Sequence, residues 1–344
     1  MGFFRRKQAT PADPRPAIAA FWAWWAQHRG EVVAALRDGR PDDLVSRLRP
    51  AVTRIDEGLE WEVSPGTSTT FLLVVSSGRP ELRGVAERWL LAAPEDPDVE
   101  FAAARPRDLR VFEMAELKVD DYDIAFAELV AGTRVDPRRG KLDVVVHHPL
   151  FPLLGADDRL QVAYLGVTAA LGQDDLERWL GTIEVSADVP IDAIPLSTLG
   201  VVVDQLRPPA DQWSVLQGQG PKGQILALIR RPFARVDRPL ADTHVGIVLR
   251  YEAAETGLPL DPEVGNEVER LEERILDALG GDGPHVVHIG HVTGGGEVVL
   301  HYYVDGLEVQ PAALTPMLAE WPRGDASMHV DRDPGWDRVA PLLG

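Results

Sequence analysis

Hydrophobic positions recur along the chain with two periods, and these predict most of its elements. Over Pro16 to Arg37, Ile18, Phe21, Trp25, Val32 and Leu36 fall three or four residues apart, an apolar stripe on a helix. Trp22 and Trp24 lie off that stripe. They form either an aromatic contact surface or the second buried side of the helix, and burial is the expectation because Trp is usually well buried. A second helix opens at Pro41 and runs to about Asp56. Period two then takes over. Leu59 to Val63 and Thr69 to Ser76 read as paired strands around Ser64-Pro65-Gly66, and Pro80 to Leu91 as a helix. Further strands are predicted over Val99 to Ala104, Arg110 to Val119, Asp123 to Val130 and Leu142 to His148. A long helix, bent near Gly172, follows from Asp157 to Leu180, then a strand from Thr182 to Ala187 and a helix from Leu196 to Leu206.

Trp213 to Gln217 and Gln224 to Arg231 read as a hairpin. Between them stands Gly218-Gln219-Gly220-Pro221-Lys222-Gly223, a literal G-x-G-x-x-G. A dinucleotide site needs those glycines to open a helix. Here Ile225 to Ile229 reads as a strand, so the stretch is a hairpin loop.

The most regular stretch runs from Thr243 to Asp331. Val245, Ile247, Leu249 and Tyr251 alternate with His244, Gly246, Val248 and Arg250 on a strand. Asp261 caps, and Pro262 opens, a helix with apolar positions at Val264, Val268, Leu271, Ile275 and Leu279, ended by Gly280-Gly281. His285 to Val292 and Glu297 to Val304 form a hairpin around Thr293 to Gly296. A short helix from Pro311 to Glu320 and a strand from Ala326 to Asp331 complete a βαββαβ order. The expected fold is therefore α+β with two domains. Residues 1–16 form a disordered start and 17–206 an N-terminal mixed sheet with helices. Residues 207–212 form a linker, and 213–344 a ferredoxin-like plait preceded by a β-hairpin.

With a two-residue turn at Gly294-Gly295, His288 faces His301. Val287, Ile289, Leu300 and Tyr302 then share the core face. His244, Arg250, His288, His301 and Tyr303, joined by His329, share the other as candidate binding residues. His288 and His301 could hold one zinc with a carboxylate as third ligand, the basis of a metal-dependent hydrolase. His147-His148 are adjacent on a strand and point to opposite faces, so they do not share a metal.

Composition narrows the remaining choices. The chain of 344 residues has no cysteine, which excludes disulfides, thiolate metal sites and thiol nucleophiles. Its net charge of −19 disfavours nucleic acid and anionic membranes as partners and favours a basic protein. The first residues carry charge without an apolar run, which points to the cytoplasm. The serine-hydrolase elbow, the zincin helix motif, Walker A and the EF-hand loop are all missing, and no cofactor is implied.

Gly257-Leu258-Pro259 before an acidic helix, Gly290 and Thr293 at a glycine turn, Tyr302-Tyr303 with Asp305, and Asp333-Pro334-x-Trp336 form a recurring set. In these residues the stretch 211–344 resembles the bacterial domain of unknown function 695 family. More distantly it is similar to the regulator of ribonuclease E activity B. His291 stands where that family usually has Arg. The more distant likeness implies a non-catalytic, acidic protein that binds an enzyme and inhibits it, and with the charge and the missing motifs it makes a regulatory, protein-binding chain the expectation. An immunity-type protein neutralising a basic partner is the neighbouring reading.

Overall fold

The computed structural model describes residues 12–137, 139–207, 212–231 and 233–343. The start predicted as disordered lies largely outside them, as does most of the predicted linker. The chain is α+β, with helices and strands arranged in several sheets. It divides into two compact units, Met1–Ala103 and Ala104–Gly344.

In the first unit α1 (Arg15–Arg37) and α2 (Pro41–Thr53) precede β1 (Glu60–Pro65), β2 (Phe71–Ser76), α3 (Pro80–Leu91) and β3 (Val99–Ala102). Strand β2 lies in the centre, antiparallel to β1 and parallel to β3. The helix α1 is buried on two sides. Trp22 stacks on Trp89 with ring centres 4.9 Å apart, and its Nε1 donates to the Trp89 carbonyl at 3.0 Å. Trp25 and Trp89 are fully buried beside Phe21. These aromatic rings are core, not a contact surface.

The second unit opens with α4 (Val111–Met114), β4 (Glu116–Val119) and β5 (Tyr122–Ala125). Next come β6 (Val130–Asp136), β7 (Lys141–His147), α5 (Ala156–Trp179), β8 (Leu180–Ser186), β9 (Ile194–Pro195) and α6 (Leu199–Leu206). The predicted strand from Arg110 thus begins as a helical turn. The single mixed sheet predicted for 17–206 is three sheets: β1 to β3, the hairpin β4-β5, and β8-β7-β6-β9. Asp120, at φ 50°, lies in the two-residue turn that joins β4 to β5. Helix α5 breaks at Gly172, where φ is 71° and a Cβ would meet the Arg105 carbonyl at 2.9 Å. The α5 C-terminus is capped from a strand: Lys141 Nζ donates to the carbonyls of Glu177 at 3.2 Å and Arg178 at 2.7 Å.

Then follow β10 (Gln212–Gly220), β11 (Gly223–Arg231), β12 (Thr243–Arg250), α7 (Glu263–Leu279), β13 (Val286–Gly294), β14 (Glu297–Val304), α8 (Thr315–Leu318), β15 (Ala326–Arg332) and α9 (Ala340–Leu343). They build one six-stranded sheet in the order β10-β11-β13-β14-β12-β15. The expected domain boundary at 207–212 does not divide the molecule into its compact units. Arg235 and Asp237, after β11, form ion pairs with Glu177 and Arg178 at the end of α5. The two halves of Ala104–Gly344 are thereby tied together.

Helix α7 lies on one face of the large sheet. Asp261 Oδ1 accepts the Glu263 N–H at 2.9 Å, which caps its start. Gly280, at φ 107°, ends it. Val264, Val268, Leu271, Ile275 and Leu279 are buried against Val245, Ile247, Leu249, Leu300 and Tyr302. Each such side chain contributes about 1.5–3 kcal/mol by leaving water. The opposite face is covered by the chain itself. Phe233 and Ala241 from the β11–β12 connection, with Trp336 and Val339 from the C-terminal segment, bury Ala227, Ile229, Val287, Ile289 and Tyr303.

Candidate functional site

The register of β13 on β14 decides which histidines meet. The turn lies at Gly295-Gly296, so Gly294 faces Glu297, His291 faces Leu300 and Gly290 faces His301. A bulge at Ile289 then shifts the ladder, and His288 faces Tyr302. Gly290 makes this bend possible: its φ is 136°, and a Cβ there would lie 2.0 Å from the Leu228 carbonyl of β11. The predicted pairing of His288 with His301 is therefore wrong. The two side chains lie on opposite faces of the sheet and cannot share a zinc ion. Among the described residues no three His, Asp or Glu side chains converge on a metal position.

On the face away from α7 the structure brings together His244, His301 and Tyr303. His244 and Tyr303 are cross-strand partners, and His244 Nε2 lies 3.0 Å from His301 Nδ1, so one ring donates and the other accepts. Burial first, and for His301 also its neighbour His244, pushes both imidazoles down to about 4. Both are neutral at pH 7. Tyr303 is fully buried and donates its hydroxyl to Asp333 Oδ2 at 2.6 Å. Burial first, and then the carboxylate beside it, raise the Tyr303 hydroxyl far above its ordinary range. Asp333 also accepts the backbone N–H groups of Asp337 at 3.1 Å and Arg338 at 2.9 Å. Trp336 stacks on Tyr303 at 4.5 Å and donates Nε1 to the Ala241 carbonyl at 2.8 Å. The Asp-Pro-x-Trp motif thus fastens the C-terminal segment beneath the sheet. Arg250 sits apart at the strand end, paired with Glu297 at 2.9 Å, and His329 is exposed on β15.

His288 joins a second cluster on the α7 side. Glu272, only 9% exposed, accepts a hydrogen bond from His291 Nδ1 at 2.7 Å on Oε1. His288 Nε2 lies 3.1 Å from the same oxygen but off the line of a good hydrogen bond. The His288 ring stacks on Tyr302 at 4.5 Å and leans on Trp213 at 5.4 Å. Burial alone would raise the Glu272 carboxyl, but the two imidazoles hold it down to about 2. Glu272 is the residue that sequence reasoning passed over. Its signal was the spacing Val268, Glu272, Ile275, Leu279, which places a carboxylate at the margin of the buried stripe.

The remaining motifs are structural. Pro221-Lys222 is a two-residue turn between β10 and β11, so the G-x-G-x-x-G stretch runs through strand ends, not into a helix. Gly223, at φ 115°, lies so close to the 256–257 loop that a Cβ would come within 2.2 Å of the Thr256 carbonyl. A cleft of about 220 Å³ at these tips is lined by Gly220 to Gly223, Ile225, Gly294, Gly295 and Glu297. His148 is fully buried; its Nδ1 accepts the Leu150 N–H at 3.1 Å and its Nε2 faces the Ala125 carbonyl at 3.2 Å. His147 Nδ1 lies 3.1 Å from the Ser186 carbonyl. No described helix is long and apolar enough to cross a membrane. No family model matches the chain, and neither a curated protein nor a solved structure matches it.

Proposed function

We propose that the chain is a non-catalytic, cytoplasmic protein that binds and regulates a basic protein. In this reading Thr243 to Arg332 is a ferredoxin-like plait, a view supported by the strand order β13-β14-β12-β15 with α7 on one face. The same stretch, with Asp333, Pro334 and Trp336 just beyond it, carries the residues that resemble the bacterial domain of unknown function 695 family. One observation carries the functional reading. On the solvent side of α7, Glu269, Glu273 and Asp277 follow one another at four-residue steps and are exposed. Like charges so spaced cost a helix a few tenths of a kcal/mol each. Arg270 and Arg274 on the same helix are engaged elsewhere, with Glu263 at 3.0 Å and Glu320 at 2.8 Å. An acidic stripe that costs the helix stability fits a partner that supplies the opposite charge, and the net charge of −19 extends that field.

The test is the triple substitution Glu269→Gln, Glu273→Gln, Asp277→Asn. It should leave the melting temperature unchanged or higher. It should weaken binding to a basic partner captured from the host, and the weakening should shrink as salt rises. A partner that binds the triple variant as tightly as the parent chain removes this reading.

A further inference from the structure

The six-stranded sheet ends on two edges, β10 and β15. Edges invite pairing with another chain unless charges, prolines or bulges blunt them. β15 carries His329, Asp331 and Arg332 along its seven residues. The edge strand β8 of the smaller sheet carries Glu184. β10 differs from both. Its nine residues, Gln212 to Gly220, include no charge and no proline, in a chain of which 26% is charged. Its register with β11 is unbroken by any bulge. Trp213 and Val215 stand 49% and 65% exposed on it.

We propose that β10 is a self-association edge, which pairs antiparallel with β10 of a second copy about a two-fold axis. The register follows from the hairpin. The pair flanking a two-residue turn exchanges both backbone hydrogen bonds, and such pairs alternate along the strand. Here that pair is Gly220 and Gly223, so Trp213, Val215, Gln217 and Gln219 turn their N–H and C=O groups outward. An axis at Leu216 overlaps all nine residues. Trp213 then lies opposite Gln219 of the second copy, Val215 opposite Gln217, and Leu216 opposite itself. No like charges meet, and each open N–H finds a carbonyl.

Charge selects the second copy over a basic partner at this edge. A basic strand would find no carboxylate on β10, whereas a neutral strand is matched by another neutral one. The bodies carrying the two edges still repel at long range, because each bears −19. Salt should therefore tighten this dimer, as it screens repulsion outside the contact. A complex with a basic protein responds in the opposite sense. This inference does not depend on the acidic stripe of α7.

Analytical ultracentrifugation of the full chain tests it, with Val215→Lys and Val215→Pro beside the parent. Both substitutions act on an exposed side chain or an outward N–H, so the ladder to β11 should stand. Melting curves confirm that each variant folds, and Gln217→Lys replaces any that does not. The parent should dimerise below about 100 µM and more tightly at higher salt, and the variants should weaken the dimer about tenfold or more. A parent monomeric up to that concentration overturns the inference. So does a dimer that the folded variants leave intact, or one that salt loosens.

Discussion

Replacing Glu272 by Gln tests the account of the α7 side of the sheet through its pH dependence. Glu272 is buried, with His291 hydrogen-bonded to it and His288 beside it, and its carboxyl falls from an ordinary 4.5 to about 2. A carboxylate whose pKa is lower in the folded than in the unfolded chain stabilises the fold above the unfolded value. That stabilisation is lost as pH falls through the folded value. A drop of this size corresponds to about 3 kcal/mol at pH 5, where an ordinary imidazole still carries its charge, and to about 1 kcal/mol at pH 3. The parent chain should therefore exceed Glu272→Gln in stability by about 3 kcal/mol at pH 5, and the gap should narrow by about 2 kcal/mol at pH 3. Gln keeps the volume and can still accept from His291, so packing losses do not enter. Titrating groups outside the cluster are common to both proteins and cancel in the difference. Urea denaturation at pH 5, 4 and 3 measures it. A gap that stays constant over that range would mean that the imidazoles do not hold the carboxylate ionised, and the electrostatic account of the cluster would be lost.

Three further outcomes are expected. Tyr303→Phe deletes the hydroxyl that donates to buried Asp333 at 2.6 Å. The loss of a hydrogen bond to a charged group should cost about 1.5–3 kcal/mol in urea denaturation, and a cost near zero would deny Asp333 its role as fastener. Gly290→Ala should be more damaging than Ala at an ordinary strand glycine. Its Cβ would lie 2.0 Å from a backbone carbonyl at φ 136°, so a melting temperature within a degree or two of the parent's would contradict the bulge. The His244–His301 pair should make the fold less stable as pH falls from about 6.5 towards 4, because the unfolded rings bind protons there and the folded ones, near 4, do not. Histidine NMR titrations check this directly, and a midpoint near 6.5 for both rings would refute it.

The helices were legible because burial leaves a period in the sequence. Pro80–Leu91 is found at its predicted limits, and the stripe on α7 from Val264 to Leu279 is the buried stripe of the fold. Cross-strand register was less legible, for a definite reason. A bulge adds one residue to one strand and reverses the face of every side chain beyond it. Ile289 does this to His288, and the only mark in the sequence is Gly290 inside an otherwise regular strand. Which segments cover the His244 face was not legible. Phe233, Ala241, Trp336 and Val339 come from segments without period, and only the folded chain brings them together. The Pro-rich stretch near residue 208 looked like a boundary, since proline marks turns. The ion pairs from Arg235 and Asp237 back to α5 lie far off in sequence and leave no local trace.

The residues of the recurring set Gly257, Gly290, Tyr302, Tyr303, Asp305, Asp333 and Trp336 now have individual roles. Gly257, at φ 86°, admits close approach of the Lys222 carbonyl, and Gly290 admits that of Leu228. Asp305, fully buried, accepts His285 Nδ1 and the Leu307 N–H, each at 2.9 Å. Tyr302 packs beneath α7, while Tyr303, Asp333 and Trp336 lock the C-terminal segment under the opposite face. Each of these positions is used by backbone geometry or by an internal hydrogen bond. A chain sharing this set would share the sheet and its cover without sharing a partner. On the proposed function, recognition would fall to surface positions that the set does not include, such as the stripe Glu269, Glu273, Asp277 and the uncharged edge β10. Exchanging those surfaces between two chains that share the motif should therefore exchange partner choice and self-association while leaving stability in place. Exchanging the motif residues should alter stability alone.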